Sequence, residues 1–584
     1  MESQTLPDYQ CKPKTRLEIP ISLQNPNSHP GAPMIPCVFK QENPDELREQ
    51  NELIYDPMDP NVCKSDIKFS GNFECGNLGK VYQIGDNKYE IHILPDPNDQ
   101  QSAQWFFFKV ESLKPGVYYF IIVGFYRQCN LHFKGSQACA YSQFKSKRGI
   151  GWHRIGEEMN YFRWKTGKFP EWAWSFKFTV EQPDTMYFAH SYPYTYTDML
   201  NCVGKLQPLC KSSTLCQSVG GLKVPVVFWD ADQESCVDVA PYLEEGKQLT
   251  HEAPPIREEN IEEFSQTIID KLKQWGRNDL NDGVKSDKKP VIVIAARTHP
   301  GETNSSFAIE GLMQTVFANN EFGVKLRKSY SWLIIPMINP DGVICGFYRP
   351  SLSGDDINRV WQKPDPLSHP IAHNVLNLLT VLRRTRPIPF FLDFHGHTGV
   401  CNSFVYGFMN DNNPAIYKAE RIFPLLMTKH TNLFSNEMCS YLKQEAYEGT
   451  MRVVLRRKFL ILFAYTLEMS FGGSDFGPRH DTQFTPHDFR EIGVATAHAL
   501  DEMFSEPTTL ASREVFELLK FPENVKNDLS SKTNTKIEIE GTVMEGKREF
   551  FRFNIDDIST SPPKKEMTLK LKQLVYDKNY INVL

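Results

Sequence analysis

The sequence predicts an α/β protein in which an N-terminal antiparallel β-sandwich precedes a larger α/β domain built on a mixed, mostly parallel sheet. Two observations carry this. From Ile67 to Tyr196, short apolar and aromatic runs are separated by turn signals, the pattern of an antiparallel sandwich. Further on, continuous β-branched runs such as Val291–Ala296 alternate with segments whose apolar residues recur at helical spacing. Such runs read as strands buried on both faces, and their alternation with helices implies parallel pairing. At 584 residues the chain is long enough for two or three domains, and a 40% hydrophobic content supplies their cores.

Taken in order, residues 1–60 are rich in Pro, Asn, Gln and charge without periodicity and read as a flexible leader. The sandwich is assigned to 61–200. Its strands include Lys88–Leu94, Trp105–Val110 and Val117–Val123, punctuated by Pro95-Asp96-Pro97-Asn98 and Lys114-Pro115-Gly116. Gly151–Gly156, Phe176–Val180 and Phe188–Tyr196 complete it. The second domain, 201–505, has buried-strand patterns at Val291–Ala296, Ser331–Pro336, Phe390–Phe394 and Ala464–Leu467. Helical spacing appears over Ile261–Trp275, Phe307–Phe317, Val375–Leu382 and Phe489–Met503. The last of these is entered through Thr485-Pro486, with proline at the first helical position. The tail, 506–584, offers a strand pair from Ile537–Glu540 and Glu549–Ile555, while its Ser/Pro tract at 559–563 reads as unstructured; no function is assigned to it.

Charge and composition exclude several classes. A net charge of −6 and a pI near 6.2 leave no overall basic footprint for nucleic acid. The longest apolar run, Phe459–Tyr465, is far too short to span a bilayer, and Met1–Pro20 has no apolar core of a signal peptide, so no membrane partner is expected. Thirteen cysteines, odd in number and scattered from Cys11 to Cys439, read as reduced cytosolic thiols and not as a disulfide framework. Cys202, Cys210 and Cys216 lack the C-x₂-C spacing of structural zinc sites and read as free thiols.

The chemistry begins where Val291–Ala296 ends, in Arg297-Thr298-His299-Pro300-Gly301-Glu302. Ligands of open α/β sheets bind just beyond the carboxyl ends of the strands. An imidazole and a carboxylate three residues apart on a Pro-Gly turn can converge on one tetrahedral Zn²⁺, for which two His, one Glu and a water form a catalytic set. Alone the spacing is equally that of a strand-to-helix loop whose Glu favours the helix dipole. The next strands deliver Asn339-Pro340-Asp341-Gly342, Tyr348-Arg349, Gly354-Asp355-Asp356-Ile357-Asn358-Arg359, His395-Gly396-His397, and Glu468 followed by Met469-Ser470-Phe471-Gly472-Gly473. In this order the residues resemble the zinc metallocarboxypeptidases. His-Pro-Gly-Glu, Asp-Phe-His-Gly-His and Thr-Leu-Glu-Met-Ser-Phe-Gly-Gly point to the cytosolic carboxypeptidase branch. The resemblance runs from about Ile67 to about Phe504 and includes a β-domain that the secreted digestive branch lacks.

The resemblance implies one Zn²⁺ per chain, held by His299, Glu302 and His395. Spacing alone leaves His395 and His397 equivalent, because residues two apart on an extended strand face the same side; the family pattern places the ligand at the first. It further implies Glu468 as general base, with a pKa raised by partial burial. Arg349 would stabilise the oxyanion, and Asn358 with Arg359 would grip a terminal α-carboxylate through a bidentate fork. Arg452 would line the pocket for the departing side chain, where a cation favours an acidic residue. The chain departs from the family between Arg452 and Glu468, where it reads Arg456-Arg457-Lys458 and then an apolar run, and Tyr447 is no firm counterpart of the mobile tyrosine of digestive enzymes. The implied activity is removal of C-terminal or side-chain-linked glutamates from acidic protein tails, polyglutamylated tubulin foremost, in the cytoplasm, with microtubules or cilia as sites of association. Two alternatives stand beside it. One is a catalytically weak or inactive tubulin-binding protein, although no ligand or base is missing; the other is an N-acyl amino acid amidohydrolase, a compact group that lacks the β-domain.

Overall fold

The structure is a computed structural model describing residues 32–505 apart from 35–36, 38–39, 63–64, 98–102, 128–129, 166–170, 248–287, 409–416, 418, 442–446 and 462. The first 31 residues of the leader, the helix expected over Ile261–Trp275 and the 506–584 tail lie outside the described residues.

Two sheets face each other in the N-terminal part. One has six strands in the spatial order Glu52–Tyr55, Val81–Gly85, Lys88–His92, Gly116–Phe125, Glu171–Val180, Glu157–Lys165. The other has five: Lys68–Ser70, Phe107–Leu113, Asp184–Ala189, Ala138–Ser142, His153–Ile155. Alternate residues of both pack between them in an aromatic core, where the Phe120 ring lies 4.8 Å from Phe178 and 5.1 Å from Phe188. One pair departs from the antiparallel expectation, since Lys88–His92 runs parallel to Gly116–Phe125. The chain between them first crosses to the other sheet as Phe107–Leu113, which a parallel pairing requires.

Part of the stretch read as a leader is also structured. Pro44 opens the helix Pro44–Leu47, with the Asn43 side chain accepting the Asp45 N–H, and Glu52–Tyr55 adds an edge strand beside Val81–Gly85 with Ile54 buried in the core. The apolar run Leu53-Ile54-Tyr55 is too short among polar neighbours to display a period.

The second part is an eight-stranded sheet. Four parallel strands, Ser331–Ile335, Val291–Ala296, Phe390–His397 and Phe463–Ser470, form its centre in that order. Antiparallel strands flank them, with Ser213–Gln217, Lys223–Asp230 and Ser235–Cys236 on one side and Ser403–Tyr406 on the other. Alternation along Val291–Ala296 sends Val291, Val293 and Ala295 into one core and Ile292, Ile294 and Ala296 into the other, so helices cover both faces. Thr303–Val316, Ile422–His430 and Pro486–Ser505 cover one face; Pro370–Thr385, Met451–Phe459 and Ala240–Lys247 cover the other. Among the described residues no helix is long and apolar enough to cross a membrane.

The two parts share a core in which Phe73, Trp105, Phe107 and Trp152 of the sandwich belong with Val343, Ile344 and Phe347. Gly346, at φ 75°, passes so close to Gly76 that a Cβ there would stand 2.3 Å from its carbonyl oxygen. The reading of the cysteines as uniformly reduced is corrected at one place: Cys210 and Cys236 are joined in a disulfide, while Cys202 and Cys216 are free thiols. The antiparallel turns between Ser213 and Cys236 fold the pair together, to 5.3 Å between Cα atoms, across a sequence separation of 26 that carries no motif.

Helices Thr303–Val316 and Pro486–Ser505 make the tightest helix contact, because Gly493 faces Ala308 and Gly311 faces Arg490 with backbone against backbone. A Cβ at Gly493 would lie 1.9 Å from the Ala308 carbonyl oxygen. Gly493→Ala is therefore expected to lower stability by about 1–3 kcal/mol, read as a lower denaturant midpoint at unchanged slope.

Candidate metal centre and substrate cleft

The turn after Val291–Ala296 is held by Arg297, a buried residue in the left-handed region at φ 59°. Its N–H donates to Ser305 Oγ (3.2 Å), its Nε to the Pro300 carbonyl (2.7 Å) and its Nη1 to Ser306 Oγ (2.9 Å). Burial pushes the guanidinium down to about 10, which leaves it cationic near neutral pH. Gly301 has no room for a side chain, since a Cβ would meet the Tyr348 ring at 2.5 Å, and its N–H donates to the Tyr348 carbonyl at 2.8 Å. Glu302 then occupies the N-cap position of Thr303–Val316.

The carboxylate of Glu302 lies between two imidazoles. His299 Nδ1 is 2.8 Å from Oε1 and His395 Nδ1 is 3.0 Å from Oε2, and the three residues are 4%, 4% and 1% exposed for His299, Glu302 and His395. One donor atom from each lies within 4.8 Å of the others. Their outer nitrogens are engaged, His299 Nε2 with Asp356 Oδ1 at 3.0 Å and His395 Nε2 with Asp393 Oδ2 at 2.6 Å. With a metal bound, carboxylates at Nε2 would favour the tautomer that keeps the proton there and leaves the Nδ1 lone pair for the metal. Two such nitrogens and one carboxylate are a fitting donor set for zinc. His397 stays outside the group; its Nδ1 accepts the N–H groups of Gly399 (3.0 Å) and Val400 (3.2 Å) and shapes the turn after the strand. A second acidic group at His487, Asp488 and Glu491 is committed elsewhere, with Asp488 capping Thr485 and pairing with Arg479, and Glu491 accepting from Thr431.

Glu468 stands directly across from His395 on the neighbouring strand, Phe463–Ser470, and is half-buried. Burial pushes its carboxyl up to about 7. Asp356 ties the remaining residues together. Beyond His299 it receives Arg349 through Nε (2.9 Å) and Nη2 (2.7 Å) and the Asn358 N–H (2.8 Å), with Arg359 Nη1 3.9 Å away. Burial alone would raise its pKa, but Arg349 and His299 hold it well below the ordinary carboxylate range. Asp96 of the sandwich accepts the backbone N–H groups of both Tyr348 and Arg349 at 2.8 Å. The β-domain thus seats the loop that carries Arg349.

Asn358 Oδ1 accepts the Met451 N–H at 3.0 Å, and Gly449 packs on the Arg359 backbone, where a Cβ would meet the carbonyl oxygen at 2.2 Å. These contacts weld the Asn358-Arg359 pair to the segment that carries Arg452. The Arg359 guanidinium lies 5.4 Å over the Tyr447 ring, whose neighbour is Tyr406 at 6.5 Å. Arg452 is buried, with Nη1 donating to the Gly407 carbonyl, and burial pushes it down to about 10. The segment expected to depart from the family, between Arg452 and Glu468, begins in the helix Met451–Phe459, which ends at Leu460 with φ 55°, and runs on into Phe463–Ser470. Arg456 faces Glu420 and Arg457 faces Glu448, with the Phe408 ring under both.

Sequence reasoning therefore missed Asp356, Asp393, Arg297 and Asp96. Asp393 had a signal, since it lies two residues before His395 on one face of a strand. Asp356 had one too, in the Asp-x-Asn-Arg context. Asp96 lies some 250 residues from its partners, and no local pattern encodes it.

If the three-residue group holds the metal, wild-type protein should carry one zinc per chain by elemental analysis, and His299→Ala or His395→Ala should carry none. Asp356→Asn and Asp393→Asn should weaken zinc binding by about 10- to 100-fold in a chelator competition.

Residues 273–497 match the family described as zinc carboxypeptidase. The chain is 34% identical over 472 residues to cytosolic carboxypeptidase 2 of Macaca fascicularis, covering 78% of this chain and 50% of that protein. It is 30% identical over 485 residues to cytosolic carboxypeptidase 3 of Mus musculus, covering 80% and 43%. The chain thus spans about half the length of the curated relatives it matches. Among solved structures, a metallo-carboxypeptidase from Burkholderia cenocepacia superposes with a TM-score of 0.55 at 18% identity over 74% of this chain and 98% of its own. One from Pseudomonas aeruginosa gives 0.54 at 19% over 75% and 100%; both show the fold, sandwich included. Zinc is the metal that this family implies, and the donor set fits it. With the fold, the donor set and the sequence matches in agreement, the chain carries a zinc carboxypeptidase domain over residues 273–497 and is similar over most of its length to the cytosolic carboxypeptidases.

Proposed function

We propose that the protein is a zinc-dependent metallocarboxypeptidase acting in the cytoplasm, where it removes glutamates from the ends of acidic protein tails, with polyglutamylated tubulin as the substrate. The observation that carries the reading is the pairing of His395 with Glu468 across two adjacent strands, beside an Asp356 that joins His299 to Arg349 and Arg359. In this reading a metal-binding group, a proton acceptor and two cations surround one reacting carbonyl. The printed names of the relatives support the cytosol, and the basic residue at the pocket supports an acidic substrate.

Zinc held by His299, Glu302 and His395 would supply a Lewis acid toward the scissile carbonyl. Glu468 takes a proton from the attacking water on its carboxylate oxygen and returns it to the leaving amine, a task suited to a carboxyl that burial has brought near neutrality. Arg349, fixed by two contacts to Asp356 and by the seat at Asp96, keeps a positive charge where the carbonyl oxygen turns negative. Asn358 and Arg359 hold the terminal α-carboxylate, which restricts cleavage to the last residue. Arg452, at the wall formed with Tyr406 and Tyr447, meets the side-chain carboxylate.

Incubation of the purified protein with polyglutamylated tubulin, followed by mass spectrometry, should show tails shortened one glutamyl residue at a time. Intact tails alongside efficient cleavage of apolar C-termini would overturn the substrate. Glu468→Gln should keep its zinc and lose at least about a hundredfold in turnover; near-normal kcat would place the base elsewhere. Losing a charge-assisted hydrogen bond costs about 1.5–3 kcal/mol, roughly tenfold to more than a hundredfold in kcat/KM. Arg452→Leu should lose that factor on a terminal glutamate and little on an apolar terminus, whereas Arg359→Leu should impair both. Because Arg452 is buried, thermal melting is measured on the same samples.

A further inference from the structure

The sandwich reaches the mouth of the site at a second place that the proposed chemistry leaves unused. Its loop after Gly116–Phe125 lies against the turn that follows His395. Leu131 N–H donates to the Thr398 carbonyl at 2.9 Å, and the Leu131 side chain packs with Cys401 and Phe471. Gln137 N–H donates to Gln483 Oε1 at 2.9 Å, and Tyr161 donates its hydroxyl to the Arg127 carbonyl at 2.5 Å. The loop is therefore anchored on both domains, and two cations stand on it in solvent, Arg127 and Lys134.

Arg127 Nη1 donates to Thr398 Oγ1 at 3.2 Å, and the same oxygen lies 3.5 Å from the Tyr348 hydroxyl, next to Arg349. Among the described residues this is the single side-chain hydrogen bond of Arg127, and the residue is exposed. Its charge acts on Tyr348 and on His397, and that of Lys134 acts on His397 and Cys401. Neither residue pairs with a carboxylate in any described ion pair, in contrast to Arg456 and Arg457. A chain whose last residue is held by Asn358, Arg359 and Arg452 must leave the cleft past another part of the rim, and the end of Phe390–His397 with its Thr398 turn is such a part. On a protein of net charge −6, two cations without a described ion pair stand at this part of the rim, with Asp475 and Asp481 acting beside Lys134 on Cys401.

We infer that Arg127 and Lys134 of the β-sandwich form an extended substrate subsite, which binds the carboxylates of acidic residues that precede the residue being removed. The β-domain then reads the tail while the α/β domain cuts it. This rests on the proposed carboxypeptidase activity but not on its preference for glutamate.

The test uses the full chain and four peptides, ending in glutamate or leucine and preceded by glutamates or by serines. For each terminus the ratio of kcat/KM for glutamate-preceded over serine-preceded peptide is measured at low ionic strength, where exposed charges are least screened. Arg127→Gln/Lys134→Gln should lower that ratio roughly threefold to tenfold, the scale of two exposed ion pairs, and added salt should lower it in wild type and barely change it in the variant. A ratio equal to that of wild type at low salt overturns the inference. Cleavage of leucine-ended but not glutamate-ended peptides would sink the glutamate reading alone, since the leucine pair still reports on the rim. Should turnover be too slow, the Kd of a fluorescent glutamate-rich peptide for Glu468→Gln protein is compared with and without the two substitutions; equal values overturn the inference, and weaker binding in the substituted protein supports it.

Discussion

The carboxylate of Asp356 is the point on which the cleft depends. A buried anion is costly unless it is paired and hydrogen-bonded, and Asp356 has His299, Arg349 and a backbone N–H within 3.0 Å. Each partner is constrained in turn. The imidazole is turned so that Nδ1 faces Glu302, the guanidinium is kept from folding back to solvent, and the short helical turn Ile357–Arg359 begins with its first N–H groups satisfied. Arg349 and Arg359, like charges near one another, are tolerated because the anion stands between them. Removing it would leave two cations and a histidine without the charge that orders them.

The sheet supplies the rest of the precision. Parallel strands end together at one edge, so Val291–Ala296, Phe390–His397 and Phe463–Ser470 deliver the turn of His299 and Glu302, then His395, then Glu468 to one rim without long loops. Register does the work of aim: His395 and Glu468 are direct neighbours, and a slip of one residue would turn one of them into the core. Close backbone contacts at Gly301 and Gly449 extend the same order to the Tyr348 and Arg359 segments.

What the sequence disclosed follows from how far each determinant acts along the chain. The central strands were legible because burial on both faces makes them uniformly apolar, and three helices, such as Pro370–Thr385, because one apolar stripe must face the sheet. The metal-binding group was legible as short motifs at strand ends, and the ambiguity between His395 and His397, which period-two geometry cannot resolve, disappears once Asp393 and Glu302 are seen to bracket His395. Less visible were features made by pairing distant segments: the parallel pair in the sandwich, the edge strand Glu52–Tyr55, the disulfide between Cys210 and Cys236, and the Asp96 seat. None has a local signature. The pocket wall is intermediate, because the arginines of the departing segment are plain in the sequence, but that Arg456 and Arg457 are turned onto Glu420 and Glu448 depends on tertiary packing.

The Asp96 seat bears on how such a chain can be recombined. Two N–H groups of the Tyr348-Arg349 loop end on a carboxylate from the other domain, and Gly346 fits against Gly76 with no room for a side chain. A chimera joined between the sandwich and the α/β part would have to rebuild the core they share, and would still present a loop without its complementary anion unless the donor brought an acidic residue at the same place. The seam thus ties the two parts together, and a substitution on either side of it is tolerated only where it keeps the Asp96 carboxylate and the close Gly76–Gly346 approach.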